Sequence, residues 1–249
     1  MFYSIGELFL LFMSAVRSLP YAWRQRRKIL DQLFEIGNAS LLMTCVLAFF
    51  MGGVIALETG PVLVARGLSS AVGGLVGFSI CKQIAPVMIS ILMAGRIGSA
   101  MAAEIGSMRV YQEIDALRTM NINPVHYLVL PRFVAIIITL PVLVLFADLV
   151  GWTGGALVAA TNHDIAISFG SYFDSLRRNV DSGDVMHGLI KSLIFAIVVG
   201  VVSCHQGLQT IGGPRGIGRS VTKAVVNSIV IILLLDYALT RLLMIIDPS

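Results

Sequence analysis

Five side chains interrupt long apolar runs and are the first candidates for chemistry: Lys82, Gln83, Asp148, Lys191 and Asp236. A charge near the centre of a bilayer costs at least ~2.5–3.5 kcal/mol on insertion scales, so each charged member is expected to be paired, or to face water or protein. Structural stitching of helices and a role in moving a substrate are equally compatible with such residues. The segment GPRGIGRS, Gly213 to Ser220, nearly fits the phosphate-binding GxxxxGK[ST] loop, with Arg219 in place of the lysine. A true phosphate loop follows a strand in an α/β domain. Here it follows an apolar helix, so a cytoplasmic turn carrying positive charge is the better reading, and the segment is not read as a nucleotide site. His126, His163, His187 and His205 are scattered without ligand spacing, and neither HExxH nor GxSxG occurs, so no hydrolase or metal site is indicated. Cys45, Cys81 and Cys204 lie far apart inside apolar runs and read as small hydrophobes.

The elements that must position these residues are membrane helices. Of 249 residues 57% are hydrophobic and 13% charged, and the mean hydropathy is +0.88. A soluble domain is about a quarter charged. The net charge of +4 is spread over loops and is no nucleic-acid signal. Residues 36–57 carry no charge, and a helix of that length spans ~33 Å, enough for the hydrocarbon core. Further runs at 67–95, 133–161, 188–205 and 224–246 predict five spanning helices in all. Residues 1–30 differ. Ile5, Leu8, Phe12, Val16 and Leu19 recur at spacings of three and four, and the basic RQRRK at Arg24 to Lys28 follows the apolar stretch instead of preceding it. That order argues for an uncleaved interfacial helix, not a signal peptide. The expected fold class is therefore all-α: a polytopic membrane protein with one N-terminal interfacial helix and five transmembrane helices in a single domain over 1–249.

Loop charge sets the expected orientation. Arg17, Arg24, Arg26, Arg27 and Lys28, then Arg96, Arg109, Arg118 and Arg132, then Arg215, Arg219 and Lys223 fall on one side. Arg66, Arg177 and Arg178 fall on the other. The N-terminus and the loop after helix 2 are expected in the cytoplasm. The C-terminus and the loop 162–187, long enough for one or two short helices, are expected outside.

Between two apolar blocks lies AAEIGSMRVYQEIDALRTMNINP, Ala102 to Pro124. Met101, Ile105 and Met108 share one helical face, and Val110, Ile114 and Leu117 share a nearly opposite one. The stripe changes sides around Arg109. The pattern predicts either two short helices with a bend or one helix gripped from both sides, and it asks for a protein partner. Arg109 with Glu113, and Asp115 with Arg118, can pair at helical spacing for ~0.2–0.5 kcal/mol each.

The stretch AGRIGSAMAAEIGSMRVYQEIDALRTMNINPVHYLVLPR resembles the MlaE-type permease family of lipid-transporting ABC systems. The matching elements are Gly95-Arg96-Ile97-Gly98-Ser99, Glu104-Ile105-Gly106, Met108-Arg109, Glu113-Ile114, Ala116-Leu117 and Pro124. ADLVGWTGG at Ala147 to Gly155, LIKSLIFA at Leu189 to Ala196 and LDYALT at Leu235 to Thr240 extend it. The resemblance implies that 99–122 is a coupling helix docking a cytoplasmic ATPase through Glu104, Met108, Arg109, Glu113, Ile114 and Leu117. It implies a homodimer in the bacterial inner membrane, a periplasmic MCE lipid carrier, a small cytoplasmic STAS-type regulator, and ATP with Mg on the ATPase, with no cofactor on this chain. It also implies a lipid pocket near Phe49, Val54, Leu57, Leu75, Phe78 and Ile232. The family often carries a basic-acidic pair in the middle of helix 2. Lys82-Gln83 departs from it, leaving the lysine without its usual acidic neighbour. On this reading the chain is a transport subunit and not an enzyme. The rival classes are an ion-driven secondary transporter, which should show repeated halves, and a membrane scaffold, which would not need charges at membrane depth.

Overall fold

A computed structural model describes residues 2–246, with the side chains of residues 2–5, 19, 22, 24 and 246 outside the described set. The chain is helical, without strands among the described residues. In order it forms α1 (Phe2–Ser18), α2 (Arg26–Ala65), α3 (Val72–Ser79), α4 (Ala85–Met93), α5 (Ser99–Val110), α6 (Glu113–Thr119), α7 (Leu130–Thr161), α8 (Phe169–Asn179), α9 (Ser182–Leu208) and α10 (Gly213–Ile246). Five stretches are long and apolar enough to cross a membrane: Arg26–Ala65, Ser69–Val110, Val125–Thr161, Ser182–Leu208 and Gly213–Ile245. Apart from Gly67 and Leu68, which precede the second span, the five apolar runs in the sequence lie within these helices, most of whose ends extend further into polar sequence. The fourth span begins at Ser182, where the sequence pattern places its start at 188. The charged Asp184 sits in the first turn of α9, where a carboxylate suits the positive helix end.

Three π-turns interrupt the spans: Ile80–Ile84 joins α3 to α4, Ala94–Gly98 joins α4 to α5, and Val125–Val129 leads into α7. Such insertions widen the helix by one residue per turn and free carbonyls for other partners.

The chain divides into two compact units. One comprises Met1–Asn38, Ser90–Leu140 and Leu193–Ser249; the other comprises Ala39–Ile89 and Pro141–Ser192. In the first, α5 packs along α10. Helix α1 lies against the start of α7 and on the Phe133–Val201 cluster through Leu8, Leu11, Phe12 and Ala15. The Phe12 and Phe133 rings meet edge to face at 6.3 Å. The face of α1 used for packing is thus rotated from the one read in the sequence, and Val16 is exposed. Ile5 and Leu19 belong to that expected face, and their side chains lie outside the described residues. Glu7 of α1 reaches His205 at 3.3 Å and also accepts from Gln209, fixing α1 on the end of α9.

In the second unit, glycines set the helix spacing. A Cβ on Gly52 would lie 2.0 Å from the Gly151 carbonyl oxygen, and one on Gly154 would lie 2.2 Å from that of Phe49. Helices α2 and α7 therefore touch backbone to backbone, the use of small residues expected inside a membrane. The amphipathic α8 covers α3 in the same way: a Cβ on Gly73 would strike the Tyr172 carbonyl at 2.2 Å. The Gly74 N–H, unpaired at the start of α3, donates to Ser175 Oγ at 3.0 Å.

Candidate functional site

Two sets of side chains stand out, one in each unit. The first is the segment after the second span. Helix α5 ends at Val110 and α6 starts at Glu113, with Gln112 between them in the left-handed region at φ 61. A non-glycine residue there is uncommon, so the bend is held by its surroundings. Arg109 donates to Asp115 at 2.7 Å across the bend, and Arg118 approaches the same carboxylate at 3.5 Å. The Asp115–Arg118 pair is the one expected from the sequence. Arg109, however, takes Asp115 instead of Glu113, because the turn swings α6 around. Arg132, at the start of α7, donates to Glu104 at 2.8 Å and to the Leu128 carbonyl at 3.0 Å, bracing α5 from the far side.

The two opposed stripes resolve into the bent pair of helices, but much of both is used within the chain. Met101 and Ile105 are buried: α5 lies on α10, and Gly207 of α9 is so close to Ile105 that a Cβ would sit 2.8 Å from its side chain. Ile114 is also buried. Met108, Arg109, Val110 and Leu117 are half-buried, and Glu104 and Glu113 are exposed. The apolar surface left open belongs to residues the sequence reading passed over, Tyr111 at 69% and Met120 at 67% exposure. Their position at the two ends of α6 is the signal that would have found them.

The second set surrounds the π-turn Ile80–Ile84. Lys82 pairs with Asp184 of α9 at 3.2 Å, and its ammonium lies 4.7 Å from the Phe78 ring centroid. Gln83 accepts a 2.6 Å hydrogen bond from Lys191, which also donates to the Lys82 carbonyl at 3.2 Å. Pro86 explains the second contact. It has no N–H to return to the carbonyl four residues earlier, which is that of Lys82, and the lysine fills the vacancy. Gly188 completes the fit, since a Cβ there would lie 2.3 Å from the Cys81 carbonyl. So Lys82 does find an acid, though not its sequence neighbour. The amide at 83 has a task of its own, holding the ammonium of Lys191, a residue only 1% exposed. Hydrogen bonds to a charged group contribute ~1.5–3 kcal/mol each, which offsets the cost of burying Lys191. Asp184 was missed because it lies in a stretch that reads as loop.

Asp148 of α7 is buried beside the Cys81 thiol, and its Oδ1 has no hydrogen-bond partner. Asp236 is buried in α10. Of the residues tied to a lipid pocket, Val54, Leu57, Leu75 and Phe78 are exposed, Phe49 is half-buried, and Ile232 is buried in the other unit. The described residues contain no cluster able to hold a metal ion.

Five apolar helices, with a braced helical elbow after the second, define a multi-pass membrane protein. A family model described as Permease MlaE matches residues 29–242, and the chain belongs to that family. It is 36% identical over 239 residues to a probable ABC transporter permease protein of Rickettsia felis, covering 96% of this chain and 92% of the relative. A probable ABC transporter permease protein of Synechocystis sp. is 34% identical over 218 residues, covering 88% and 82%. The protein TRIGALACTOSYLDIACYLGLYCEROL 1, chloroplastic, of Arabidopsis thaliana is 35% identical over 214 residues, covering 86% of this chain and 61% of the relative. The chain is thus a permease subunit with a transport role, and the ABC assignment implies an ATPase partner.

Proposed function

We propose that this permease moves phospholipid or a related lipid between the bacterial inner membrane and a periplasmic MCE lipid carrier, as a homodimer driven by two copies of a cytoplasmic ATPase. A small STAS-type regulator on the cytoplasmic side completes the assembly. The observation that carries the reading is the elbow α5–α6. It continues a spanning helix, is braced by Arg132–Glu104 and Arg109–Asp115, and leaves Tyr111 and Met120 open to a partner. A rigid lever joined to a membrane helix is what is needed to pass nucleotide-driven motion into the bilayer. ATP and Mg belong to the ATPase, and the chain supplies the docking surface. Positive loop charge supports a cytoplasmic elbow and N-terminus and an external α8 and C-terminus. Membership of the MlaE family, and the diacylglycerol lipid in the name of the Arabidopsis relative, support a lipid as cargo.

The test is reconstitution of the chain with its ATPase and an MCE protein in liposomes holding a fluorescent phospholipid. ATP-dependent transfer between liposome and MCE protein is expected. The variant Tyr111→Arg/Met120→Glu should insert normally and lose both ATPase co-purification and transfer. Transfer without ATP, or full ATPase binding by the variant, would refute the reading.

A further inference from the structure

Asp148 stands apart from the other charged side chains at membrane depth. Lys82 has Asp184, and Lys191 has Gln83. Asp148 is 2% exposed. Its polar contact is the Cys81 thiol, its Oδ1 has no partner, and no ion pair reaches it among the described residues. Its neighbours along the same side of α7 are neutral: Trp152 lies one turn on, and the Tyr172 hydroxyl of α8 stands over Gly155, 2.5 Å from where a Cβ would be. The elements packed around this face bring no cation to the carboxyl. Helix α2 approaches through Ala48, Phe49 and Gly52; it carries no charge from Ile36 to Leu57, and its one titratable side chain there is Cys45. The π-turn brings Cys81 and Lys82. From α8 comes Tyr172, while Asp174, Arg177 and Arg178 are exposed. From α9 come Asp184, His187 and Lys191. Both lysines are engaged elsewhere, and Asp184 is a like charge.

We propose that Asp148 is a proton-binding site: in the folded chain its side chain is the neutral carboxylic acid, holding a proton taken from water as α3 and α7 close over it. A carboxylate kept from water with neither a cation nor a set of strong donors is far costlier than the acid, and such a group gives up its charge instead. The Cys81 thiol is too weak a donor to take the place of a cation. A metal ion fits poorly. Hard cations seek about six oxygens, and this face offers one carboxyl and one hydroxyl beside a thiol and an indole. The described residues hold no metal-binding group of side chains. Asparagine at this position has nearly the same shape and no charge, so Asp148→Asn mimics the proton-bound state. The inference concerns one side chain inside the chain's own fold and does not rest on what the permease transports.

Infrared spectroscopy of the full chain in liposomes reads the proton directly, because a carboxylic acid has a C=O stretch above the amide band and a carboxylate does not. At neutral pH the wild type should show an acid band that Asp148→Asn loses. Asp148→Glu should keep an acid band at a shifted position, and Asp164→Asn, at an exposed site, should leave the band unchanged. A second measurement needs no substitution and serves where the variants insert poorly. Dicyclohexylcarbodiimide adds to a protonated carboxyl in apolar surroundings. The acid passes its proton to one nitrogen, its oxygen bonds to the central carbon, and acyl migration leaves a stable N-acylurea with nothing expelled. Peptide mass spectrometry should find the adduct on Asp148 at least ~tenfold above Asp184, which its ion pair with Lys82 keeps ionised. Three results would overturn the proposal: a difference between wild type and Asp148→Asn confined to the carboxylate bands, equal carbodiimide labelling of Asp148 and Asp184, or an acid band present in choline chloride and lost in sodium chloride. The last would mark Asp148 as a ligand for a metal cation.

Discussion

Replacing Gly52 by alanine tests the backbone contact of α2 with α7. The added Cβ would lie 2.0 Å from the Gly151 carbonyl oxygen and 2.8 Å from its carbonyl carbon. A carbon and an oxygen need a little over 3 Å, so the helices must part by about 1 Å at this point. The obstacle is backbone on both sides, and no side chain can swing away. Parting also undoes the neighbouring contacts of Gly154 with Phe49 and Gly155 with the Gly52 carbonyl. Overpacking of this kind costs ~1–3 kcal/mol. For a chain of this size that is a fall of several degrees in the melting temperature. The assay is thermal unfolding in detergent, followed by tryptophan fluorescence and by loss of monodisperse protein on gel filtration. Gly170→Ala is the control, because a Cβ there meets nothing within 4 Å. If Gly52→Ala melts with the wild type and the control, the two helices are further apart than the structure places them and the reasoning is wrong.

Two shorter predictions concern the π-turn. Gln83→Leu removes the 2.6 Å acceptor of Lys191 and should lower stability by ~1.5–3 kcal/mol; an unshifted melting curve would show that the lysine does not depend on the amide. Gly188→Ala should lower the melting temperature because its Cβ meets the Cys81 carbonyl at 2.3 Å, while Gly183→Ala, whose nearest neighbour is 4.0 Å away, should not. Equal behaviour of the two would refute the close approach.

The spans were legible because hydrocarbon demands long apolar runs, and the uncharged residues 36–57 admit no other reading. The bend in the elbow was legible too, since a stripe that crosses from the Ile105 face to the Ile114 face cannot stay on one straight helix. What the stripes touch was not legible. An apolar stripe looks the same whether it meets a partner or its own chain, and Met101 and Ile105 are used internally. The partner of Lys82 was hidden for a related reason: Asp184 lies about a hundred residues away, in a polar stretch that reads as loop until α9 is seen to begin at Ser182. The π-turns left only Pro86 as a clue, four residues after the carbonyl that Lys191 takes.

The Gly52–Gly151 contact has a mechanical corollary. Helices separated by ordinary side chains can slip, because rotamers yield like soft bearings. Where carbonyl meets Cα directly there is no such lubricant, and sliding α2 along α7 would force one backbone ridge over another. The middle of α2 and the second half of α7 therefore travel as a single strut. Whatever stroke the transporter makes, its play must be taken up elsewhere in the chain.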